Sequence, residues 1–214
     1  MLFCPTLNLI GLFRAIKGQL SYKGDSFPYS GVHVFTGAQG GGKTYAMIYT
    51  LRDILKEFPK VTVLSDMELN GINYVKYTGF EDIDKYSNEY GLVCVLDEIH
   101  LLFSSLTSKG STHQDLQLWS QNRKNKRLIL GTSQRFSRIA KPIREQCTSN
   151  IEVKAGIIPG TMHYRIIDAE CYDDSGKLVL DRENIPKWHF AVRDVSVFDL
   201  YDTMYQIKGE ICKK

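Results

Sequence analysis

Residues 37–44 read Gly37-Ala-Gln-Gly-Gly-Gly42-Lys43-Thr44 and match the pattern G-x-x-x-x-G-K-[ST]. In such a P-loop (Walker A) the glycines let successive backbone N–H groups turn inward and surround phosphate oxygens, while the lysine adds a full positive charge. Lys43 is expected to reach the β- and γ-phosphates of a nucleoside triphosphate, and the Thr44 hydroxyl to ligate Mg²⁺. Gly37, Ala38, Gln39, Gly40, Gly41, Gly42, Lys43, Thr44 and Tyr45 form the expected nucleotide-binding set. A plain glycine-rich turn would share the composition, but not the placement after an apolar strand and before a helix.

A second constellation lies 54 residues after Lys43, where Leu92-Val-Cys-Val-Leu96 runs into Asp97-Glu98. Carboxylates at the exposed C-terminal end of a buried parallel strand face the edge of the sheet where open α/β folds bind ligands. Asp97 is expected to hold the Mg²⁺ shell as a Walker B residue. Glu98 is expected to orient or deprotonate the attacking water. An acidic pair in a loop means little alone; paired with a P-loop it points to Mg-ATP hydrolysis. His100 is either a further group near the γ-phosphate or a packing residue.

These residues need a scaffold, and the apolar periodicity supplies one. Val32–Thr36, Val61–Ser65, Leu92–Leu96 and Leu128–Thr132 are short apolar runs suited to strands buried on both faces. Between them, Thr44–Phe58 carries Ala46, Met47, Leu51, Ile54 and Leu55 at helical spacing, with Pro59 just past its end. An extended piece near Tyr74–Tyr77 and helices near Glu81–Tyr90 and Gln114–Asn125 complete the alternation, which predicts an α/β, RecA-like fold with a mainly parallel sheet flanked by helices. Beyond residue 150, Ile151–Val153, His163–Ile167, Lys177–Leu180 and His189–Val192 read as antiparallel strands joined by turns such as Asp173–Gly176. The expected organisation is an N-terminal docking segment (1–30), a P-loop core (31–150) and a β-rich C-terminal extension of the same domain (151–214).

Composition narrows the class further. With 214 residues, 43% hydrophobic and 24% charged, the chain is an ordinary globular sequence. Its five cysteines are scattered without a C-x-x-C pair, so neither a disulfide framework nor a zinc site is indicated, and a reducing, cytoplasmic setting fits. The apolar N-terminus is interrupted by Pro5, Asn8 and Arg14, so it reads as an amphipathic docking segment or a membrane-surface anchor rather than a span. Net charge is +3, yet residues 109–144 hold nine Lys/Arg against Asp115 alone, a local +8. That run is a solvated face or a polyanion-binding one. Trp119 and Trp188 read as core or interface anchors.

The tip of the Leu128–Thr132 strand, Gly131-Thr132-Ser133-Gln134, resembles the sensor-glutamine region of the FtsK/HerA superfamily of DNA-pumping ATPases. That resemblance implies a catalytic role for Gln134. It also implies an arginine finger acting on a neighbouring subunit's nucleotide, with Arg123 in Gln121–Arg127 the first candidate and Arg127 the second. Ser133–Arg144 together with Val197–Ile207 is similar to the small genome-packaging ATPases of tailless icosahedral, tectivirus-like viruses. The zonula occludens toxin-like assembly ATPases of filamentous phages are a related comparison. The latter are membrane-anchored beyond the ATPase domain, and the lack of such a segment here favours the packaging type.

The resemblance implies a pentameric or hexameric ring that hydrolyses ATP and drives double-stranded DNA non-specifically into a preformed capsid. Arg135, Arg138, Lys141 and Arg144 would contact the DNA, and capsid vertex or portal proteins would be partners. The setting would be the host cytoplasm or the packaging vertex of the virion. Three alternatives stay open: an assembly ATPase moving single-stranded DNA or virions through an envelope, a small-metabolite P-loop kinase, and a structural vertex protein that binds nucleotide without turnover.

Overall fold

β-Branched and aromatic residues dominate the runs that pair into the sheet, where their bulk at Cβ fits the pleated surface. The computed structural model describes residues 27–101, 125–180 and 184–202. Eight strands form one sheet: β1 (Gly31–Thr36), β2 (Thr62–Ser65), β3 (Val75–Lys76), β4 (Leu92–Leu96), β5 (Arg127–Ser133), β6 (Cys147–Ala155), β7 (Thr161–Asp168) and β8 (His189–Val192). Their spatial order is β3-β2-β4-β5-β1-β6-β7-β8. From β3 to β6 every pairing is parallel, whereas β7 and β8 join antiparallel at one edge.

Parallel pairing brings the C-terminal ends of β1, β4 and β5 to one side. Gly131 of β5 lies between Val34 of β1 and Leu96 of β4 in register. The P-loop follows β1, Asp97 and Glu98 follow β4, and Gln134 follows β5. All three therefore emerge at one edge.

Helix α1 (Lys43–Glu57) begins as the P-loop ends and lies on one face of the sheet. Its Tyr45, Ala46, Met47, Ile48, Leu51 and Ile54 are buried with Phe35, Val93, Val95, Leu128, Leu130 and Ile151 in one core. Full burial of each large aliphatic side chain contributes about 1.5–3 kcal/mol, so this face ties the phosphate loop to the sheet. On the other face, Phe80 and Ile83 of α2 (Phe80–Tyr86) pack with Val32, Val34, Cys94, Ile129, Phe136, Ile139 and Ile143. Ile143 lies on the short helix α3 (Lys141–Arg144). Phe27 and Tyr29, at the end of the expected docking segment, are buried edge-to-face against Phe58.

Two expected strands differ in the structure. The Ile151–Val153 run belongs to the longer β6, which is parallel to β1 and antiparallel only to β7. The crossover from β5 to β6 returns the chain to the starting edge, so β6 enters in the direction of β1; alternation within a segment carries no information on pairing direction. Lys177–Leu180 forms no strand beyond a single Tyr172–Leu178 bridge. Its neighbour after β7 is a 3-10 turn, Ala169–Cys171, which offers no continuous ladder. The turn at Asp173–Gly176 does form, with the Gly176 N–H donating to Asp173 O at 2.8 Å. The helix expected at Gln114–Asn125 lies outside the described residues, apart from Asn125 in a turn.

Candidate nucleotide site

The loop is shaped by close approaches that only glycine permits. At Gly37, with φ of 154°, a Cβ would lie 2.0 Å from the Val153 carbonyl oxygen of β6. Gly42 caps α1 in the left-handed region at φ 96°. The Gly41 N–H donates to Ala38 O at 3.0 Å, closing the loop. The first helical bond runs from the Ala46 N–H to Gly42 O, leaving the amides of Lys43, Thr44 and Tyr45 ahead of the ladder at the positive end of the helix.

Lys43 is buried and its Nζ donates to Ala38 O at 3.2 Å, folding the ammonium back over the loop. Ala38, Gln39 and Gly40 are exposed at the loop crown. At Tyr45 the side chain is turned away from the loop. Its ring is buried and its hydroxyl accepts the Asp194 N–H at 2.6 Å, so only its backbone amide faces the loop.

The acidic side is knitted together by Thr132 of β5. Its hydroxyl donates to Asp97 Oδ1 at 2.5 Å and accepts the Glu98 N–H at 2.9 Å. The Thr44 hydroxyl is 3.3 Å from the same Asp97 oxygen. Beneath them, the Asp97 N–H donates to both carboxylate oxygens of Asp66, at 2.9 and 3.1 Å. Burial raises the Asp66 carboxyl to about 7, the Asp97 N–H opposes that rise, and the Asp97 charge adds to it.

Glu98 adopts the left-handed backbone region, φ 48°, which costs a non-glycine residue about 1–2 kcal/mol. Its Oε2 is buried without a hydrogen-bond partner and lies 3.2 Å from His100 Nδ1. His100 is also 3.4 Å from the Ser133 hydroxyl, so it stands beside Glu98. Among the described residues no three His, Cys, Asp or Glu side chains form a ready-made metal cage, but the unsatisfied Glu98 oxygen and the Thr44–Asp97 pair leave oxygen ligands that could hold Mg²⁺ beside bound phosphates.

Gln134 sits at the tip of β5, between the P-loop strand and the Asp97 strand; its Oε1 accepts from Arg138 at 2.6 Å. It also lines a cavity of ≈ 380 Å³ with Gly37, Ala38, Arg135, Asn150 and Trp188. Trp188 differs from a core anchor: it is 36% exposed, with Lys154 and Arg165 over its ring at 3.9 and 4.7 Å.

The expected basic residues divide. Arg135, Arg138 and Lys141 are exposed, and Lys141 pairs with Asp174 at 2.7 Å. Arg144 donates to the carbonyls of Ile139 and Asp174, clamping the 173–176 turn. Arg127 does not suit a finger reaching a neighbour. It is 3% exposed at the opposite end of β5 and held within its own chain by Asp84 and by Ser87 Oγ at 2.7 Å. Arg123 and Trp119 lie outside the described residues.

Sequence reasoning passed over Asp66 and Thr132. The signal used for Asp97, a carboxylate ending an apolar strand, is present again in VTVLS-Asp66; Thr132 carries no signal beyond its place beside Gln134. No helix among the described residues is long and apolar enough to cross a membrane.

No known protein family's sequence pattern matches the chain, and no curated protein matches it. Among solved structures, the N-terminal domain of zonular occludens toxin from Neisseria meningitidis aligns with a TM-score of 0.58 and 15% identity, over 81% of this chain and 99% of that one. The chain has that domain's α/β fold. The genome-packaging NTPase B204 of Sulfolobus turreted icosahedral virus 2, in complex with ATP-gammaS, aligns at 0.47 and 15% identity, over 76% of this chain and 98% of that one. The Legionella pneumophila ATPase DotB aligns at 0.45 and 12% identity, over 78% of this chain and 52% of that one.

Proposed function

We propose that this chain is a Mg-dependent ATPase whose turnover drives a DNA-translocating ring. The carrying observation is the chain of contacts from Thr44 through Asp97 and Thr132 to Glu98, at the edge of the sheet where the P-loop and Gln134 also emerge. Loop amides and Lys43 bind the phosphates. Thr44 and Asp97 hold Mg²⁺, whose chemistry is to neutralise charge on phosphoryl oxygens. Glu98 accepts a proton as water attacks the γ-phosphorus, the bond to the β-phosphate oxygen breaks, and ADP and phosphate result. Gln134 orients that water or the γ-phosphate, and Arg123 of an adjacent subunit completes the site.

For the work done, packaging of double-stranded DNA into a capsid is supported by the motif likeness at Ser133–Arg144 and by exposed Arg135 and Arg138 beside Gln134. Export or assembly of the zonular occludens toxin type is the second reading, supported by the shared fold. Phosphate release by the wild type, Lys43→Ala, Glu98→Gln and Arg123→Ala, with duplex, single-stranded or no DNA, tests all of this. We expect Lys43→Ala to lose nucleotide binding and Glu98→Gln to bind ATP without turnover. Mixing Glu98→Gln with Arg123→Ala should restore partial activity. Duplex stimulation supports packaging, and preference for single strands supports export. Binding without turnover in the wild type would leave only a nucleotide-dependent structural role.

A further inference from the structure

The site described above draws on residues 36–134, and the C-terminal segment brings a cation that this reading does not use. Arg193 follows β8, and its backbone N–H donates to Gly160 O at 2.7 Å. Its guanidinium lies against the phosphate loop. Nη2 is 3.4 Å from Gly41 O, and a Cβ on Gly42 would lie 2.9 Å from that same nitrogen. The missing side chain at Gly42 is therefore what admits the guanidinium. Its Cζ is 5.7 Å from the centre of the Tyr45 ring, the residue that follows Thr44 on the first turn of α1.

Among the described residues the charge has no anion. Arg193 Nε is buried with no hydrogen-bond partner, and among the described residues Arg193 forms no ion pair. The adjacent Asp194 does not serve it, because Asp194 is held by Arg52 at 2.6 Å and by Ser196. A stranded buried donor on a permanent cation is costly unless something anionic meets it. The Tyr201 hydroxyl, raised to about 12 by burial, is drawn down by Arg193 and up by Asp97, so both charges act on one neighbourhood.

We propose that Arg193 is a phosphate ligand of the nucleotide site, presented by the chain's own C-terminal segment to complement Lys43. This rests on the nucleotide reading above. Nε and Nη2 form one edge of the planar guanidinium; Nε has no partner and Nη2 has only a long contact. That edge can grip two oxygens of a phosphate at once, a geometry that lysine cannot reproduce. The segment Val195–Leu200 packs on α1 through Phe198, 5.0 Å from the Tyr45 ring, and Arg52 fastens it at Asp194. Packing of Phe198 and the backbone bond to Gly160 hold Arg193 beside the loop before any ligand arrives, and the Arg52–Asp194 pair, with Asp194 45% exposed, adds only a surface tie.

The test compares wild type, Arg193→Met, Arg193→Lys and Arg52→Met, titrated with ADP and with inorganic pyrophosphate in EDTA, alongside the melting temperature of each free protein. Arg193→Met should weaken both ligands by tenfold or more, and Arg193→Lys should recover only part of that loss. Arg52→Met loosens the same segment without touching the loop, and should change affinity less than threefold. If wild type binds both ligands and Arg193→Met binds them equally well, this inference alone falls. It falls too if Arg52→Met weakens them as much as Arg193→Met, because Arg193 would then act as a strap. If wild type binds neither ligand, the nucleotide reading falls with it.

Discussion

Replacing Thr132 by valine keeps the shape of a fully buried side chain and removes its hydroxyl. Two hydrogen bonds go together: the one donated to Asp97 Oδ1 and the one accepted from the Glu98 N–H. A bond to a charged acceptor is worth about 1.5–3 kcal/mol, and a stranded buried N–H costs about 1–3 kcal/mol. Glu98 also holds a left-handed backbone that this N–H bond helps to maintain. A net loss of about 3 kcal/mol follows, or a melting temperature lower by about 6–12 °C for a domain of this size. Turnover should suffer more than binding, because Lys43 and the loop amides are untouched while the Glu98 carboxylate loses its anchor. Misplacing a reacting group by about 1 Å costs on the order of a hundredfold in rate. Thr132→Val should therefore lower kcat for Mg-ATP by about a hundredfold, with KM within about threefold of wild type. Thr132→Ser retains the hydroxyl and should stay within about threefold in both parameters. Steady-state phosphate release at saturating Mg-ATP, with thermal melts of each variant, decides the matter. A valine variant turning over at the wild-type rate, or a serine variant as impaired as valine, would refute the role assigned to this hydroxyl.

His33 offers a pH test far from the chemistry. It is buried in β1, with Nε2 against Ser30 O and Nδ1 against the Ser149 hydroxyl, an arrangement that suits a neutral ring; burial lowers its pKa to about 4. The unfolded chain takes up that proton near pH 6.5, so stability should be full above that pH and fall by about 3 kcal/mol as pH drops towards 4. Urea melts of His33→Gln should lack this part of the acid slope; an unchanged slope would dismiss it. Gly37→Ala drives a Cβ into the Val153 carbonyl, backbone against backbone, so the loop must move away from β6. The rise in melting temperature produced by saturating ATP should largely vanish, and its retention would show that the loop has room to spare.

Much of the site was readable because its signals are local. The glycines, lysine and threonine of the P-loop are contiguous, and their chemistry is a property of one turn and the helix it starts. Asp97 and Glu98 announce themselves as acids ending an apolar run, since a strand buried on both faces must surface at its end. Arg127 misled for the converse reason. In a basic run it looks like its neighbours, yet it begins a buried strand and is neutralised by Asp84 from α2. Nothing between residues 84 and 127 states that pairing.

Periodicity and motif spacing therefore mark most of the segments that become strands or helices and the glycine-rich turn between β1 and α1, because those outcomes depend on residues within a few turns of one another; Lys177–Leu180, which forms no strand, is an exception. The neighbours of each strand depend on free energy summed over the assembled sheet. Folding alone places β5 between β1 and β4, so that Thr132 can join Asp97 to Glu98, and turns β6 parallel to β1. It also carries Arg193 back across 152 positions to Gly41. A contact between residues so far apart leaves no periodic trace in the chain; packing and charge compensation in three dimensions select it.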